Sequence, residues 1–451
     1  MLHDVHLRNA EASGVWWRPE APDDRLPGIL RTHESEEADL SLTGEWRSPD
    51  GSRVRESRII CGLTDRLGWV VLDGCGQLLP GEVFAGSQHR TVGFRRTHCT
   101  AHTVLAGDDL GPDCKLEFGR VSVEFSHLTE WAYMQGVSEP FHREMVPYDE
   151  YRDGFTVTVP RLAELTAKVA DVTVVIRPWV ATRTTPPLGL KVEPKLYVDL
   201  ERPITEGLDR WHDTVNDMRE FFSFLIGVPI RSRHTWASVH HSGDVPPTTV
   251  EVHEPRSQAS PFWANVRRHD MLVEYREFAG SFKTHVELWL QRTPDLVRAC
   301  RQFLVARDGT KYEEQRFLSL ARALEVLHIA RDCRGKRGRP AFQQRVQDLL
   351  GSVREQLSLS ATGIPALAIE IEYWRHGFTH LLEGREIANS TTSERVFRLG
   401  QLIEITFEAC MLQLLGFSST DIHTVIQRKL EQRLPFIREL ISEAGKGDPA
   451  A

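Results

Sequence analysis

The hydrophobic pattern of this chain changes character just past its middle, near the polar stretch Pro255–Pro261. Before this stretch, short apolar runs are separated by Gly, Asp and Pro, which is typical of β-strands joined by turns. After it, apolar residues recur with the spacing of amphipathic helices. A chain of 451 residues is also too long for one typical hydrophobic core. We therefore predict an α+β multidomain protein, with a β-rich sandwich or barrel-like domain over residues 1–270, an all-α helical bundle over 271–445 and a disordered tail over 446–451.

The predicted strands of the first half are short runs of β-branched and aromatic residues flanked by turn signals. They are Arg58–Cys61, Gly68–Leu72, Val121–Phe125, Phe155–Val159, Val172–Ile176, Thr235–His240 and Thr248–His253. One helix, from Leu208 to Leu225, is predicted among them, because its apolar residues, including Trp211 and Met218, form one helical stripe. The adjacent Trp16 and Trp17 suit packing in a core or at a sheet edge better than stacking on a ligand.

The second half is predicted to be mostly helical. The helical segments are His285–Gln291, Asp295–Val305, Glu313–Ala330, Gln343–Gln356, a helix that begins near Pro365, Glu394–Leu415 and Ser419–Ala444. Proline is well tolerated in the first turn of a helix, which is where Pro365 falls. The cluster Asn389–Ser393 consists of residues that cap helix N-termini and directly precedes one of these helices.

Composition and charge limit the classes of protein that fit this chain. The formal net charge of −8 argues against nonspecific binding along nucleic acid, which needs a positive surface. No apolar run approaches the roughly 20 residues of a membrane helix, and the N-terminus lacks a secretory signal, so we expect a cytoplasmic protein with no membrane partner. The seven cysteines are scattered without a CxxC pair, which favours reduced thiols. We expect neither a metal nor a cofactor, because the sequence has no convincing ligand cluster and no Gly-rich phosphate loop.

The most informative candidate for a catalytic motif is the segment Tyr373–His380, near the end of a long helical stretch. Within it, Arg375 precedes His380 by five residues, and the polar His376 follows the arginine directly. Arginine offers a forked cation for a phosphate, and histidine can move a proton near neutral pH. On an ideal helix, a step of five residues places side chains about 140° apart. The two residues would therefore meet only if the helix breaks at Gly377 or if two copies of the motif come together.

Both motif residues also have structural interpretations. Arg375 could pair with Glu372 or Glu383 near the end of a helix, and His380 could be a partly buried histidine bonded to a backbone carbonyl. About two Arg-x4-His pairs are expected by chance in a chain of this composition, so the spacing alone favours the structural interpretation.

A second candidate for contact with a nucleic acid is the basic segment Arg331–Pro340. Its cationic side chains include Arg334, Lys336, Arg337 and Arg339, and they could hold a phosphate backbone. Charged runs of this kind are more often solvated loops between helices, so both interpretations stay open.

Several segments of the chain resemble the ApeA family of bacterial abortive-infection proteins. In the N-terminal half, the similar segments are Gly14–Pro19, Ile60–Gly62, Trp69–Asp73 and Phe125–Ala132. In the C-terminal half, Ala323–His328 and Tyr373–His380 resemble the HEPN domain of that family. The resemblance covers most of the chain. It implies an ApeA-like sensing or regulatory domain over residues 1–270 and a HEPN helical ribonuclease domain over 271–445.

The resemblance also implies an activity and its residues. ApeA-like proteins are expected to be metal-independent endoribonucleases that defend the cell against phage by cleaving its RNA, with tRNA as the expected substrate. Arg375 and His380 match the catalytic positions, His376 stands where the family often has another polar residue, and Glu325 matches an acidic position on a neighbouring helix. Two HEPN domains are expected to pair in a homodimer or larger homo-oligomer, and a phage-derived molecule is the expected trigger.

The expected reaction uses the 2′-OH of RNA as nucleophile and leaves 2′,3′-cyclic phosphate and 5′-OH ends. His380 would act as general base or acid, and Arg375 would clamp the scissile phosphate. Glu325 could instead have a purely structural role as the partner of an arginine, because buried carboxylates need partners. The alternative for the whole chain is a catalytically silent HEPN module that binds RNA or protein as a sensor or scaffold.

Overall fold

The N-terminal part of the protein is built mainly from β-strands. The computed structural model describes residues 7–87, 90–107, 110, 116–133, 162–185, 189–239, 248–255, 266, 271–308, 312–332, 340–380, 390–432 and 435–446. The strands in these ranges are β1 (Glu11–Arg18), β2 (Ala21–Arg31), β3 (Ala38–Thr43), β4 (Ile59–Thr64), β5 (Gly68–Asp73), β6 (Leu79–Ser87), β7 (Arg90–Ala101), β8 (Thr103–Ala106), β9 (Glu117–Phe125), β10 (Leu165–Val169), β11 (Val172–Thr185), β12 (Gly189–Gly207), β13 (Ser232–Val239) and β14 (Thr248–His253).

All of these strands belong to one antiparallel sheet, in the order β10-β11-β12-β9-β13-β14-β8-β5-β4-β1-β2-β3-β7-β6. Six of the predicted strands coincide with or overlap β4, β5, β9, β11, β13 and β14, which confirms the β-rich N-terminal domain. The predicted strand Phe155–Val159 lies outside the described residues.

Strand β1 lies in the interior of the sheet between β2 and β4, and both of its faces are buried at its C-terminal end. Consecutive strand residues point to opposite faces, yet Trp16 and Trp17 are both almost fully buried. Trp16 belongs to a smaller core lined by the first strands, whereas Trp17 belongs to the larger core that continues into the helices. The Trp16 ring packs closely on Gly62 of β4, where an added Cβ would lie 2.3 Å from Cε3 of the indole. The prediction that the tryptophan pair is core packing is therefore confirmed.

The first strands curl around the smaller core. The chain passes from β7 to β8 through the single residue His102, so these two strands are close in space. In the strand order, however, they stand at opposite ends of the run β8-β5-β4-β1-β2-β3-β7. The ends of this run must therefore approach each other, and its strands enclose side chains such as Trp16, Leu40 and Leu72.

The remaining described elements are helices. They are α1 (Leu128–Tyr133), α2 (Leu208–Ile226), α3 (Tyr275–Ala279), α4 (Phe282–Leu290), α5 (Pro294–Arg307), α6 (Glu313–Asp332), α7 (Phe342–Ser352), α8 (Arg354–Leu357), α9 (Gly363–His380), α10 (Ser390–Leu414), α11 (Ser419–Gln432) and α12 (Pro435–Lys446). This run of helices confirms the predicted β-rich domain followed by a helical bundle. None of the helices in the described part of the chain is long and apolar enough to cross a membrane.

Several of the predicted helices have different bounds in the structure. The segment Gln343–Gln356 forms two helices, α7 and α8, which are separated at Val353. The segment Ser419–Ala444 is covered by α11 and α12, and residues 433 and 434 between them lie outside the described residues. Helix α10 starts at Ser390, within the cluster that was predicted to precede it. Periodicity alone predicted the apolar faces correctly but not the interruption at Val353.

Aromatic packing joins the sheet domain to the helices that follow it. Trp131 of α1 donates a hydrogen bond from Nε1 to the carbonyl of Val273 at 2.7 Å, and its ring centre lies 5.2 Å from that of Phe278. The Trp289 ring of α4 lies 5.1 Å from that of Phe221 on α2. The two parts of the protein therefore share one continuous hydrophobic core.

Candidate functional site on helices α6, α7 and α9

Helix α9 carries the Arg-x4-His motif and is anchored by its apolar face. Leu367 and Ile371 are buried in the helical core, and Pro365 lies in the first turn, as predicted. Trp374 and Phe378 continue this face, with ring centres 5.8 Å apart. The apolar stripe therefore fixes the rotation of α9 about its own axis.

A second contact ties α9 to the helix that follows it. Glu370 accepts two hydrogen bonds from the guanidinium of Arg395 on α10, at 2.7 and 2.8 Å. Arg395 also donates to Glu443 of α12 at 2.8 Å. The hydrogen bond and charge of Glu370 raise the pKa of Arg395 despite its partial burial.

The guanidinium of Arg375 lies where α9 meets α6 and α7. Its Nη2 donates a hydrogen bond to Oε2 of Glu325 on α6 at 3.2 Å. Its Cζ lies 4.3 Å from the centre of the Phe342 ring at the start of α7, which is a favourable cation–π distance. The side chain is still 36% exposed, so part of its fork of N–H donors faces solvent. An arginine held in this way can bind a phosphate oxygen with its outward donors.

Glu325 contacts a second arginine as well. Its Oε1 accepts a hydrogen bond from Nη1 of Arg345 on α7 at 2.5 Å, and Nε of Arg345 donates to the carbonyl of Pro340 at 2.8 Å. One carboxylate thus lies between two guanidiniums, and the cluster carries a net positive charge that suits an anionic ligand. Glu325 is a partner of arginines, as its structural interpretation expects.

The structure bears on two alternatives that the sequence left open for α9. The helix continues through Gly377 to His380, so the motif contains no break in the backbone. Arg375 pairs with Glu325 rather than with Glu372, and Glu383 lies outside the described residues. In a continuous helix, positions 375 and 380 lie about 140° apart around the axis. A single copy of α9 therefore does not direct both positions toward one point.

The solvent-facing side of α9 carries an unusual combination of residues. Ile369 is 54% exposed, Tyr373 is 43% exposed, and His376 is exposed as well. Together with position 380, these positions fall within about 60° of one another on a helix. His380 is the last residue of α9, and its side chain lies outside the described part of the structure. The predicted histidine positions therefore share a face with exposed apolar groups, whereas Arg375 lies about 100–160° around the helix axis from these positions.

A buried histidine lies one turn away from Glu325 on α6. His328 has its Nε2 2.9 Å from Oδ2 of Asp348 on α7, and 3.7 Å from Oδ2 of Asp332. Its side chain is almost fully buried. This contact joins α6 to α7 directly beside the Glu325–Arg345 pair, and so stiffens the support of Arg375.

Sequence reasoning missed Arg345, Phe342 and His328 as parts of this site. Arg345 and Phe342 stood on or beside a predicted helix, but no local pattern links them to a glutamate on another helix. The predicted RNA contacts Arg334, Lys336, Arg337 and Arg339 lie outside the described residues. Among the residues that the structure describes, no three or more His, Cys, Asp or Glu side chains form a possible metal site.

The comparison with protein families identifies the first part of the chain. Residues 11–289 match the model of the ApeA N-terminal domain 1, a range that runs from β1 to α4. The chain belongs to the ApeA family, and this membership indicates a protein of the abortive-infection type of antiviral defence. No curated protein and no solved structure matches the chain.

Three of the segments that resemble the family are neighbours in the sheet. Trp16 and Trp17 of β1 stand opposite Gly62 and Cys61 of β4, and Cys61 in turn stands opposite Val71 of β5. Trp16 and Gly62 also pack closely against each other across these strands. The C-terminal segments that resemble a HEPN domain lie beyond the matched range.

Proposed function

We propose that this protein is an anti-phage ribonuclease of the HEPN type that acts in the cytoplasm without a metal ion. Its expected substrate is host tRNA, and its expected products carry 2′,3′-cyclic phosphate and 5′-OH ends. Membership of the ApeA family supports the defence role. The single observation that carries the nuclease proposal is the partly exposed Arg375, which Glu325 and Phe342 hold in place five residues before His380.

The proposed reaction needs three functions. A base removes the proton of the RNA 2′-OH, which attacks the adjacent phosphorus, and an acid gives a proton to the leaving 5′-oxygen. A cation must stabilise the charge on the non-bridging phosphate oxygens. Arg375 is suited to the third function, because its fork of donors matches phosphate geometry. His380 is proposed as base or acid, and either His376 or a histidine of a second copy completes the proton transfer.

The exposed face of α9 supports a site that is built from two copies. Positions 369, 373, 376 and 380 share this face, and two of them are apolar and exposed. Covering Ile369 and Tyr373 with the same face of a second copy would remove apolar surface from water and place histidines of both copies side by side. A homodimer of this kind would bring the histidine positions of the two copies together, whereas Arg375 of each copy lies about 100–160° around its helix from these positions.

The ion pair of Arg375 also supports a second candidate. A guanidinium that already pairs with Glu325 and covers Phe342 can be a purely structural link between helices. In that case the helical domain would be a catalytically silent module that binds RNA or protein as part of a sensor or scaffold. The two candidates differ in whether loss of Arg375 or His380 abolishes RNA cleavage while the fold persists.

The first test is RNA end-mapping in phage-challenged bacteria that express the wild type, His380→Ala or His423→Ala. His423 is an exposed histidine on α11, so its substitution makes the same chemical change at a position outside the motif. We expect new 2′,3′-cyclic phosphate ends in tRNA with the wild type and with His423→Ala, but not with His380→Ala. Identical RNA ends and equal protection with all three proteins would rule out the nuclease.

The second test uses purified protein and tRNA in the presence of a chelator. Arg375→Ala is compared with Arg322→Ala, which removes an exposed arginine of α6. The proposal expects cleavage by the wild type and by Arg322→Ala, and a loss of at least about 100-fold in Arg375→Ala. Circular dichroism and thermal unfolding of each variant show whether a lost activity reflects a lost fold.

A further inference from the structure

The carboxylate of Glu325 is shared unequally by two guanidiniums. Its Oε1 lies 2.5 Å from Nη1 of Arg345 on α7, whereas its Oε2 lies 3.2 Å from Nη2 of Arg375 on α9. The first distance is that of a strong charge-assisted hydrogen bond, and the second is at the long end of the usual range. Glu325 is therefore bound mainly by Arg345.

Burial favours the same partner. The side chain of Arg345 is 10% exposed, and that of Arg375 is 36% exposed. An ion pair strengthens as water is excluded from it, whereas a pair that is open to solvent contributes little. Arg345 is also fixed at its Nε, which donates a hydrogen bond to the carbonyl of Pro340 at 2.8 Å. Glu325 thus has one buried partner in a fixed position and one partner at the surface.

This unequal sharing determines how many donors Arg375 can offer to a ligand. A guanidinium that faces a carboxylate squarely forms two parallel hydrogen bonds with it, and the same two donors are what it uses to bind a phosphate. Arg375 donates a single hydrogen bond to Glu325, and the Phe342 ring that it covers contributes no acceptor of this strength. Without a charge at position 345, Oε1 of Glu325 would be free to turn toward Arg375 and occupy a second donor.

We propose that Arg345 is a positioning residue that keeps Arg375 open to an RNA phosphate, because it holds one oxygen of Glu325. The inference rests on the contact between Arg375 and RNA in the proposed function. It does not require cleavage, so it applies equally to a helical domain that only binds RNA.

The test is fluorescence anisotropy of bulk tRNA, labelled at its 3′ end, with the full-length protein. The parent protein and every variant carry His380→Ala, which removes the proposed base or acid, so that binding is measured without cleavage. Arg345→Gln is compared with Arg322→Gln, since Arg322 is an exposed arginine three residues before Glu325 on α6. Both substitutions remove one positive charge near Glu325, but of the two arginines only Arg345 binds its carboxylate.

A third variant and a folding control complete the design. Arg345→Lys keeps the positive charge at this position, so it should still hold Glu325. Thermal unfolding of each protein shows whether it is folded at the assay temperature. Arg345→Met, which removes the same charge from a side chain of similar length, replaces Arg345→Gln if that variant is unfolded.

We expect Arg345→Gln to bind tRNA about tenfold more weakly than the parent protein, and Arg322→Gln and Arg345→Lys to stay within about threefold of it. The inference would be overturned if the parent protein did not bind tRNA, or if Arg345→Gln bound as tightly as the parent. Equal weakening in Arg322→Gln would also overturn it, because any lost charge would then suffice. Equal weakening in Arg345→Lys would overturn it as well, because the charge at this position would then not matter.

Failure of the nuclease proposal has a different signature. If the wild type produces no new RNA ends in phage-challenged bacteria, the assignment as a nuclease fails, whereas the expected order of tRNA affinities is unaffected. If the wild type does produce these ends but Arg345→Gln binds as tightly as its parent, only the role of Arg345 is refuted.

Discussion

Glu325 accepts a hydrogen bond from Arg375 across the contact between α6 and α9, with 3.2 Å between Oε2 and Nη2. The two residues are fifty positions apart in the chain. The same carboxylate holds Arg345, whose side chain is only 10% exposed. The direction in which Arg375 points therefore depends on a charge that lies outside its own helix.

We expect Glu325→Gln to lower RNA cleavage by up to about 100-fold, because a misplaced group near the reacting phosphate is costly. The NH₂ group of the new glutamine side chain would face the guanidinium of either Arg375 or Arg345. This unfavourable contact costs roughly 1 kcal/mol of stability but leaves the fold intact. Initial rates of tRNA cleavage and thermal unfolding measure both effects. Glu355→Gln, at an exposed position on α8, is the control. Unchanged cleavage by Glu325→Gln would show that Arg375 acts without this carboxylate.

The exposed stripe of α9 leads to a prediction about assembly. We expect Tyr373→Asp to shift the protein from dimer to monomer and to abolish cleavage, because it places a charge in the proposed interface. Sedimentation velocity measures the assembly. Tyr312→Asp is the matched control, since Tyr312 is an exposed tyrosine that precedes α6. A wild type that is monomeric at all concentrations, yet cleaves RNA, would contradict the two-copy site.

A buried ion network stabilises the helical part. Glu408 of α10 is fully buried and accepts hydrogen bonds from Arg307 at 2.7 Å and from Lys429 at 2.5 Å. We expect Glu408→Gln to lower the free energy of unfolding by about 3 kcal/mol, because two buried cations lose a counter-charge. Urea unfolding followed by circular dichroism gives the value.

The control for this network is Glu439→Gln. Glu439 is 68% exposed and lies 3.4 Å from Arg398, so its removal should cost less than about 1 kcal/mol. Similar losses in the two variants would mean that the Glu408 network contributes no more than a surface pair.

The contact between Gly62 and Trp16 predicts a sharp steric effect in the sheet domain. A Cβ at Gly62 would lie 2.3 Å from Cε3 of Trp16, so we expect Gly62→Ala to destabilise the protein by about 1–3 kcal/mol. Gly76 has nothing within 4 Å of an added Cβ, and Gly76→Ala should change stability by less than about 0.5 kcal/mol. Thermal unfolding monitored by tryptophan fluorescence distinguishes the two variants, and equal melting temperatures would refute the packing argument.

The ion pair between His212 and Glu254 predicts a pH dependence. Burial acts to lower the pKa of His212, but the hydrogen bond and charge of Glu254 outweigh it and raise the pKa above 6.5. Burial likewise acts to raise the pKa of Glu254, but the hydrogen bond and charge of His212 bring it below 4.5. The stabilising effect of the pair is therefore complete between these two ordinary values. It is lost as pH rises through the raised pKa of His212, and as pH falls through the lowered pKa of Glu254.

We therefore expect His212→Gln to reduce the free energy of unfolding more at about pH 5.5 than at about pH 9. The measurement is urea unfolding of the wild type and the variant at both pH values. Any loss in the free energy of unfolding that does not depend on charge is the same at both pH values, so it cancels in this comparison. A loss of equal size at both pH values would show that the pair contributes no net electrostatic stabilisation.

Parts of the fold and of the site were predictable from local patterns. The helix Leu208–Leu225 and the strand Thr248–His253 were predicted almost to the residue, because their periodicity is clear and their ends carry turn signals. The interruption of the predicted helix Gln343–Gln356 at Val353 was missed, because no glycine or proline marks it in the sequence. The alternative of a break at Gly377 is not found, because a single glycine costs too little to interrupt a helix that is packed along its length.

The sequence by itself determined the change from strands to helices, the apolar face of α9 and the presence of the ApeA N-terminal domain, since each of these depends on residues close together in the chain. Only the tertiary structure decided that Glu325 lies between Arg375 and Arg345, and that Trp16 packs on Gly62 of a neighbouring strand. Those arrangements join residues from separate elements. Their geometry follows from how helices and strands pack against one another, and no local spacing encodes it.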